Sequence, residues 1–196
     1  IRRQETLKIQ DELIAKIIRL LTSFFVRRNL TDIPNTYELT RIFMTIIEEI
    51  EEKALQGNSV YDLIYKTLVS KSASDELFRE KLAGNIYEDN TYVARFILCA
   101  LAEKYMTKET FVDLWDQNDY KGKKVYKWTI EHIFPKGKNI PKEWVDMIAG
   151  GNKRLAEDYL EGYVHKLGNL TITGYNSALS NMSFVNKRDR KNEHNK

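Results

Sequence analysis

The chain reads as mainly α. A helical bundle over residues 1–120 is followed by a small α+β domain over residues 121–196. Two observations carry this division. Through the first part, apolar residues recur at helical spacing; after residue 120, β-branched and aromatic residues gather in short runs broken by proline and glycine. Charge changes with the pattern: residues 1–120 hold 16 basic and 20 acidic side chains, and residues 121–196 hold 15 basic and 8 acidic. The net charge of +3 for the whole chain conceals this asymmetry.

The elements follow in order. Ile9, Leu13, Ile17, Leu20, Leu21, Phe24 and Phe25 mark a first helix, which Thr31 to Asn35, with Pro34, interrupts. Thr36 is the expected cap of a second helix, with Leu39, Ile42, Phe43, Ile46, Ile47 and Ile50 on its apolar face. A third helix fits Val60–Val69, and a fourth fits Asp75–Leu82 behind Ser74. A fifth runs from Thr91 to Tyr105 with a stripe of Val93, Phe96, Ile97, Ala100 and Leu101. These stripes suit a bundle core and suggest no ligand site. Residues 117–122 are polar and turn-prone. Val125, Tyr126, Trp128 and Ile130 suit one short strand that Pro135 ends. Two short helices, 142–149 and 152–163, are parted by Gly150-Gly151. Leu170-Thr171-Ile172-Thr173 suits a second strand, Gly174 and Asn176 open a helix, and residues 184–192 suit another.

Composition excludes several classes. With 196 residues, 42% of them apolar, the chain can bury a real core. No apolar run reaches the roughly 18 residues a membrane span needs. The start, Ile1-Arg2-Arg3, carries neither an initiator methionine nor a signal peptide, so the chain reads as a fragment of a longer protein. A single cysteine, Cys99, excludes an internal disulfide and a cysteine-built zinc cluster, and fits a reducing, cytoplasmic compartment.

Two clusters carry the chemistry. The first is Glu131-His132-Ile133-Phe134-Pro135. The second is His165-Lys166-Leu167-Gly168-Asn169-Leu170-Thr171, followed by Asn176 and Leu179-Ser180-Asn181. Two of the three histidines lie in them, and seven lysines lie between Lys121 and Lys142 against one acid, Glu131. A histidine with an ordinary pKa near 6.5 can deprotonate water. Oxygen donors can hold a hard cation, and a lysine field attracts a polyanion. Those parts suit phosphodiester hydrolysis. Strict strand alternation would send Glu131 and His132 to opposite faces, but at a strand end the chain can turn so that both reach one site.

The pattern resembles the His-Me finger, or HNH, nuclease superfamily, whose core is two strands and a helix around one divalent metal. More narrowly, the two clusters, continued by Phe184 and Lys187, resemble the carboxy-terminal domain of GmrSD-type restriction endonucleases. The resemblance implies a ββα-metal nuclease domain over residues 121–196, acting on DNA in bacterial restriction of modified or foreign phage DNA. It implies that residues 1–120 are a helical linker or sensor domain, with Phe25-Val26-Arg27-Arg28 a loose match to a recurring double arginine. An amino-terminal nucleotide-using domain or subunit, absent from this chain, is the implied partner.

The resemblance also implies roles. His132 is the general base, and Glu131 and Asn176 are ligands of one Mg2+ or Mn2+ ion. Asn169 holds the loop that bears the base. His165, the third catalytic candidate, touches phosphate or metal or braces the turn. Lys136, Lys138, Lys166, Lys187 and Arg188 are the nucleic-acid-binding candidates. An amide at Asn176, where relatives use histidine or an acid, implies modest metal affinity. The competing expectation is a catalytically inactive nucleic-acid-binding module of the same fold. A purely structural helical scaffold would account for residues 1–120 alone.

Overall fold

The structure, a computed structural model, describes residues 7–174, 179 and 181–189. The chain forms two compact units, 1–82 and 83–196.

The first unit is helical: α1 (Asp11–Thr31), α2 (Thr36–Glu52), α3 (Asn58–Lys71) and α4 (Asp75–Ala83). Helix α1 ends where Asp32 turns left-handed, with φ of 55°. The cap of α2 is Asn35, one residue earlier than expected. Its side chain accepts from Glu38 N while Glu38 reaches back to Asn35 N, a reciprocal capping box that Thr36 cannot build. Ser74 caps α4 as its sequence position predicts, accepting from Leu77 N. Phe24, Ile42, Ile46 and Leu68 are buried between α1, α2 and α3, with Leu20, Leu21, Leu39 and Phe43 packed around them. Each such apolar burial is worth about 1.5–3 kcal/mol. The double arginine pins loops to α1: Arg28 Nε donates to Pro34 O, and Arg27 Nη1 to Ala73 O.

In the second unit, the short α5 (Ile86–Asp89) leads into α6 (Thr91–Lys104), capped by Asn90. The buried face of α6 is Val93, Ala94, Arg95, Leu98 and Cys99, rotated from the expected stripe, and Leu101 is 48% exposed. The reason is Arg95, which periodicity counts as polar. Its Nη2 donates to Leu114 O (2.5 Å) and Trp128 O (3.1 Å), and its guanidinium lies 3.6 Å from the Tyr126 ring centroid. These partners replace lost water and let the charge face inward. They also explain why the change of character near residue 120 falls inside this unit: Arg95 ties α6 to the segment that carries the strands.

The single strand expected over residues 125–130 is two strands in different sheets. β1 (Gln117–Tyr120) pairs antiparallel with β2 (Lys123–Tyr126). β3 (Thr129–His132) pairs antiparallel with β4 (Leu170–Thr173). The β1–β2 pairing runs on one step, with Lys127 N donating to Asp116 O, and Trp128 O is then taken by Arg95 before β3 begins. Helices α7 (Lys142–Ala149) and α8 (Lys153–Tyr163) follow as expected, separated at Gly150, whose φ of 55° a side chain rarely adopts. Phe184–Arg188 forms α9. Phe134, Trp144 and Phe184 pack ring to ring and hold the segment after β3, α7 and α9 together. The helix expected from Gly174 onward, including Asn176, falls on residues 175–178, outside the described set.

Candidate functional site

β3 delivers Glu131 and His132 to the end of its ladder, opposite Thr171 and Leu170. Beyond His132 the backbone leaves the sheet, and Asn169 holds it there. The Asn169 side chain accepts from Phe134 N (2.7 Å) and donates to Phe134 O (3.0 Å) and Val164 O (2.9 Å). Its own carbonyl accepts from Ile133 N (2.8 Å). Glu131 and His132 then border one cavity of about 220 Å³, together with Tyr87, Ile130, Pro135, Lys136 and Asn181. The chain's turn at the strand end thus brings two neighbouring side chains to one hollow.

His132 is 6% exposed, and its Nε2 is buried with no hydrogen-bond partner. The Tyr87 ring meets it edge-on at 4.5 Å, and the His165 ring at 5.5 Å. Burial lowers the His132 pKa to about 4, helped by the positive charges of Lys136 and Lys187 and by His165. At neutral pH the imidazole is therefore uncharged, with a ring nitrogen unspent. An unpartnered buried polar atom costs about 1–3 kcal/mol, so it calls for a role.

Glu131 is equally buried, and its charge is answered inside the protein. Lys187 Nζ, carried by α9, donates to Glu131 Oε1 (2.7 Å) and His132 O (2.8 Å). The two side chains are 8% and 7% exposed. Lys187 thus sits within the site rather than on a surface open to phosphate. The donors around the cavity are one carboxylate and the Asn181 amide. Asn176, the other expected ligand, lies outside the described residues. Among the described residues, no group of three His, Cys, Asp or Glu side chains is placed to hold a metal.

The remaining candidates divide by environment. His165 shares the ring cluster, stacked on Tyr87 at 5.5 Å, but its Nε2 lies 3.3 Å from Glu88 Oε1, and its Nδ1 is buried without a partner. Lys136 lines the cavity with its Nζ 5.4 Å from the Tyr87 ring centroid. Lys138 is exposed, and Lys166 lies over the Tyr163 ring at 5.0 Å. The Arg188 guanidinium is turned onto its neighbour Asp189 by two hydrogen bonds. Tyr87 was not found from sequence. It lies 45 residues before His132 in an unremarkable helix, and the bond from Tyr87 N to His165 O (3.2 Å) and its ring contacts with both histidines bring it to the site. Asn181 stood in the second cluster without an assigned role.

Residues 72–196 match the family described as GmrSD restriction endonucleases, C-terminal domain. No curated protein and no solved structure matches the chain.

Proposed function

The chain belongs to the family of GmrSD restriction endonuclease C-terminal domains, and on that premise we propose that it is a metal-dependent DNA endonuclease domain of the HNH, or His-Me finger, type. The observation that carries this reading is the buried, unpartnered Nε2 of His132 on the wall of the cavity that Glu131 also lines. In this reading His132 takes the proton from the attacking water. Its lowered pKa keeps it neutral and ready to accept, and an arriving phosphate anion raises that pKa toward neutrality by the opposite Coulomb effect. Glu131 and Asn176 would hold a magnesium or manganese ion, which when bound neutralises charge on the phosphoryl and leaving oxygens. Asn169 positions the base by fixing the Phe134 backbone. Lys136, at the cavity rim, and Lys138 face the phosphate backbone. Residues 1–82 act as the linker or sensor joined to an amino-terminal nucleotide-using domain, and the substrate is modified or foreign phage DNA.

A second reading, a nucleic-acid-binding module without cleavage, draws on Lys187, whose ammonium competes with any cation for Glu131. One experiment separates the two: plasmid nicking in magnesium or manganese by the wild-type chain and by His132→Ala, on modified and unmodified DNA. The expected result is wild-type cleavage and a loss of about 10²–10⁴-fold in the variant, the usual worth of a general base. Plasmid bound but uncut by the wild type would favour the binding module, and equal cleavage by both proteins would remove His132 from the mechanism.

A further inference from the structure

The β1–β2 hairpin spends residues on a structure that buries almost nothing. Seven of its eight strand residues are exposed, and only Tyr126 is partly covered. A lone two-stranded ribbon is marginally stable in water. This one is secured at its ends. At the tip, Lys121 and Gly122 form a two-residue turn with φ of 53° and 76°, the primed geometry that matches strand twist, and Gly122 N donates to Asp119 Oδ1 (2.9 Å). At the base, Lys127 Nζ pairs with Asp116 Oδ2 (2.5 Å), and Arg95 grips the Tyr126 ring.

The register sorts the exposed side chains. One face carries Asp119 opposite Lys124 and, at its base, Gln117 opposite Tyr126. The other carries Asn118 opposite Val125 and Tyr120 opposite Lys123, with no acid. Tyr120 is 63% exposed and Val125 44%. Among the described residues neither Lys121 nor Lys123 meets a carboxylate, and Lys121 rests its ammonium 5.4 Å from the Tyr120 ring centroid. This second face therefore presents an amide, a phenol, an apolar branch and two cations.

We infer that the face of the β1–β2 ribbon bearing Asn118, Tyr120, Lys123 and Val125, with Lys121 at its tip, is a docking surface for the major groove of duplex DNA. The dimensions agree. Four residues per strand span about 13 Å at roughly 3.4 Å each. A two-stranded ribbon fits a B-form major groove of about 12 Å width and 8.5 Å depth. The chemistry agrees as well: amide and phenol groups bond base edges, an apolar branch meets a thymine methyl, and lysines take phosphates. Only two residues, Lys127 and Trp128, separate β2 from β3, so a ribbon seated in the groove holds its DNA on the strand that bears Glu131 and His132.

This inference rests on the nuclease reading for its choice of DNA, but its test is binding rather than cleavage. The test is fluorescence anisotropy of the full chain with a labelled DNA duplex at several salt concentrations, without divalent cation. Lys121→Gln/Lys123→Gln should lower the log–log salt slope by about 1.8, two phosphates at about 0.9 each. That amounts to roughly 60-fold weaker binding at 0.1 M salt, from about 8-fold per phosphate contact between 0.1 and 1 M. Lys153→Gln, on the outer face of α8, should bind as the wild type does, and circular dichroism confirms that each variant is folded. Unchanged affinity and slope in the double variant would overturn the docking surface. So would a wild-type chain that binds no duplex, or one that prefers duplex RNA, whose deep, narrow major groove excludes a ribbon. Binding that depends on the ribbon with no cleavage in any metal would leave the docking surface standing and remove the nuclease reading.

Discussion

Replacing Lys187 with methionine tests how the site is held together. The variant keeps the length of the side chain and removes the ammonium from between Glu131 Oε1 and His132 O. Both members of the pair are more than nine-tenths buried, so screening by water does little to soften the loss. A carboxylate left alone in such a place costs about 3–5 kcal/mol. The expected destabilisation is of that order. The double variant Lys187→Met/Glu131→Leu should recover most of it, because an apolar pair of similar volume leaves no buried charge behind. Urea denaturation followed by tryptophan fluorescence is the assay. All three tryptophans lie in the second unit, and Trp144 packs on Phe184 of α9, the helix that carries Lys187. A loss below about 1 kcal/mol, the worth of an exposed ion pair, would refute the reasoning. It would return Lys187 to the role expected from sequence, a surface lysine waiting for phosphate.

Three further outcomes are expected. His132 is held near pKa 4 in the fold against an ordinary 6.5, so between those values the unfolded chain takes up a proton that the folded chain refuses. Its contribution to stability is therefore complete above pH 6.5 and is lost as pH falls towards 4, by about 3 kcal/mol at roughly 1.4 per unit; stability-against-pH curves for the wild type and His132→Gln that ran parallel would contradict it. Asn169→Ala removes the three side-chain bonds that hold Phe134 and Val164, and should cost roughly 2–4 kcal/mol and slow cleavage by misplacing His132; full stability with full activity would show that the loop holds itself. Charge reversal at Lys136 and Lys138 should weaken DNA binding and flatten its salt dependence by about 0.9 per lost phosphate contact, and an unaltered slope would make these lysines merely solubilising.

Helix positions in the first unit were legible because each helix buries one stripe, and a 3.6-residue period survives in the order of side chains. Phe24, Ile42 and Ile46 stand in the core where that period puts them. The two chemical clusters were legible for a different reason: their residue types are uncommon and closely spaced, so His132, Glu131 and Asn169 could be singled out with no knowledge of their contacts. What the order of residues by itself determined was therefore local, namely the helix extents of the first unit, the span of β4, and the residue types gathered around His132 and Asn169. Relations between distant segments were settled only by the tertiary structure. The buried face of α6 turned on Arg95 finding carbonyls at Leu114 and Trp128, far along the chain. Lys187 became the partner of Glu131, and Tyr87 a wall of the cavity against His132, through packing that spans 56 and 45 residues. A charge can be buried only where its counter-charge or acceptor also arrives, and that arrival is a property of the folded chain rather than of any window of its sequence.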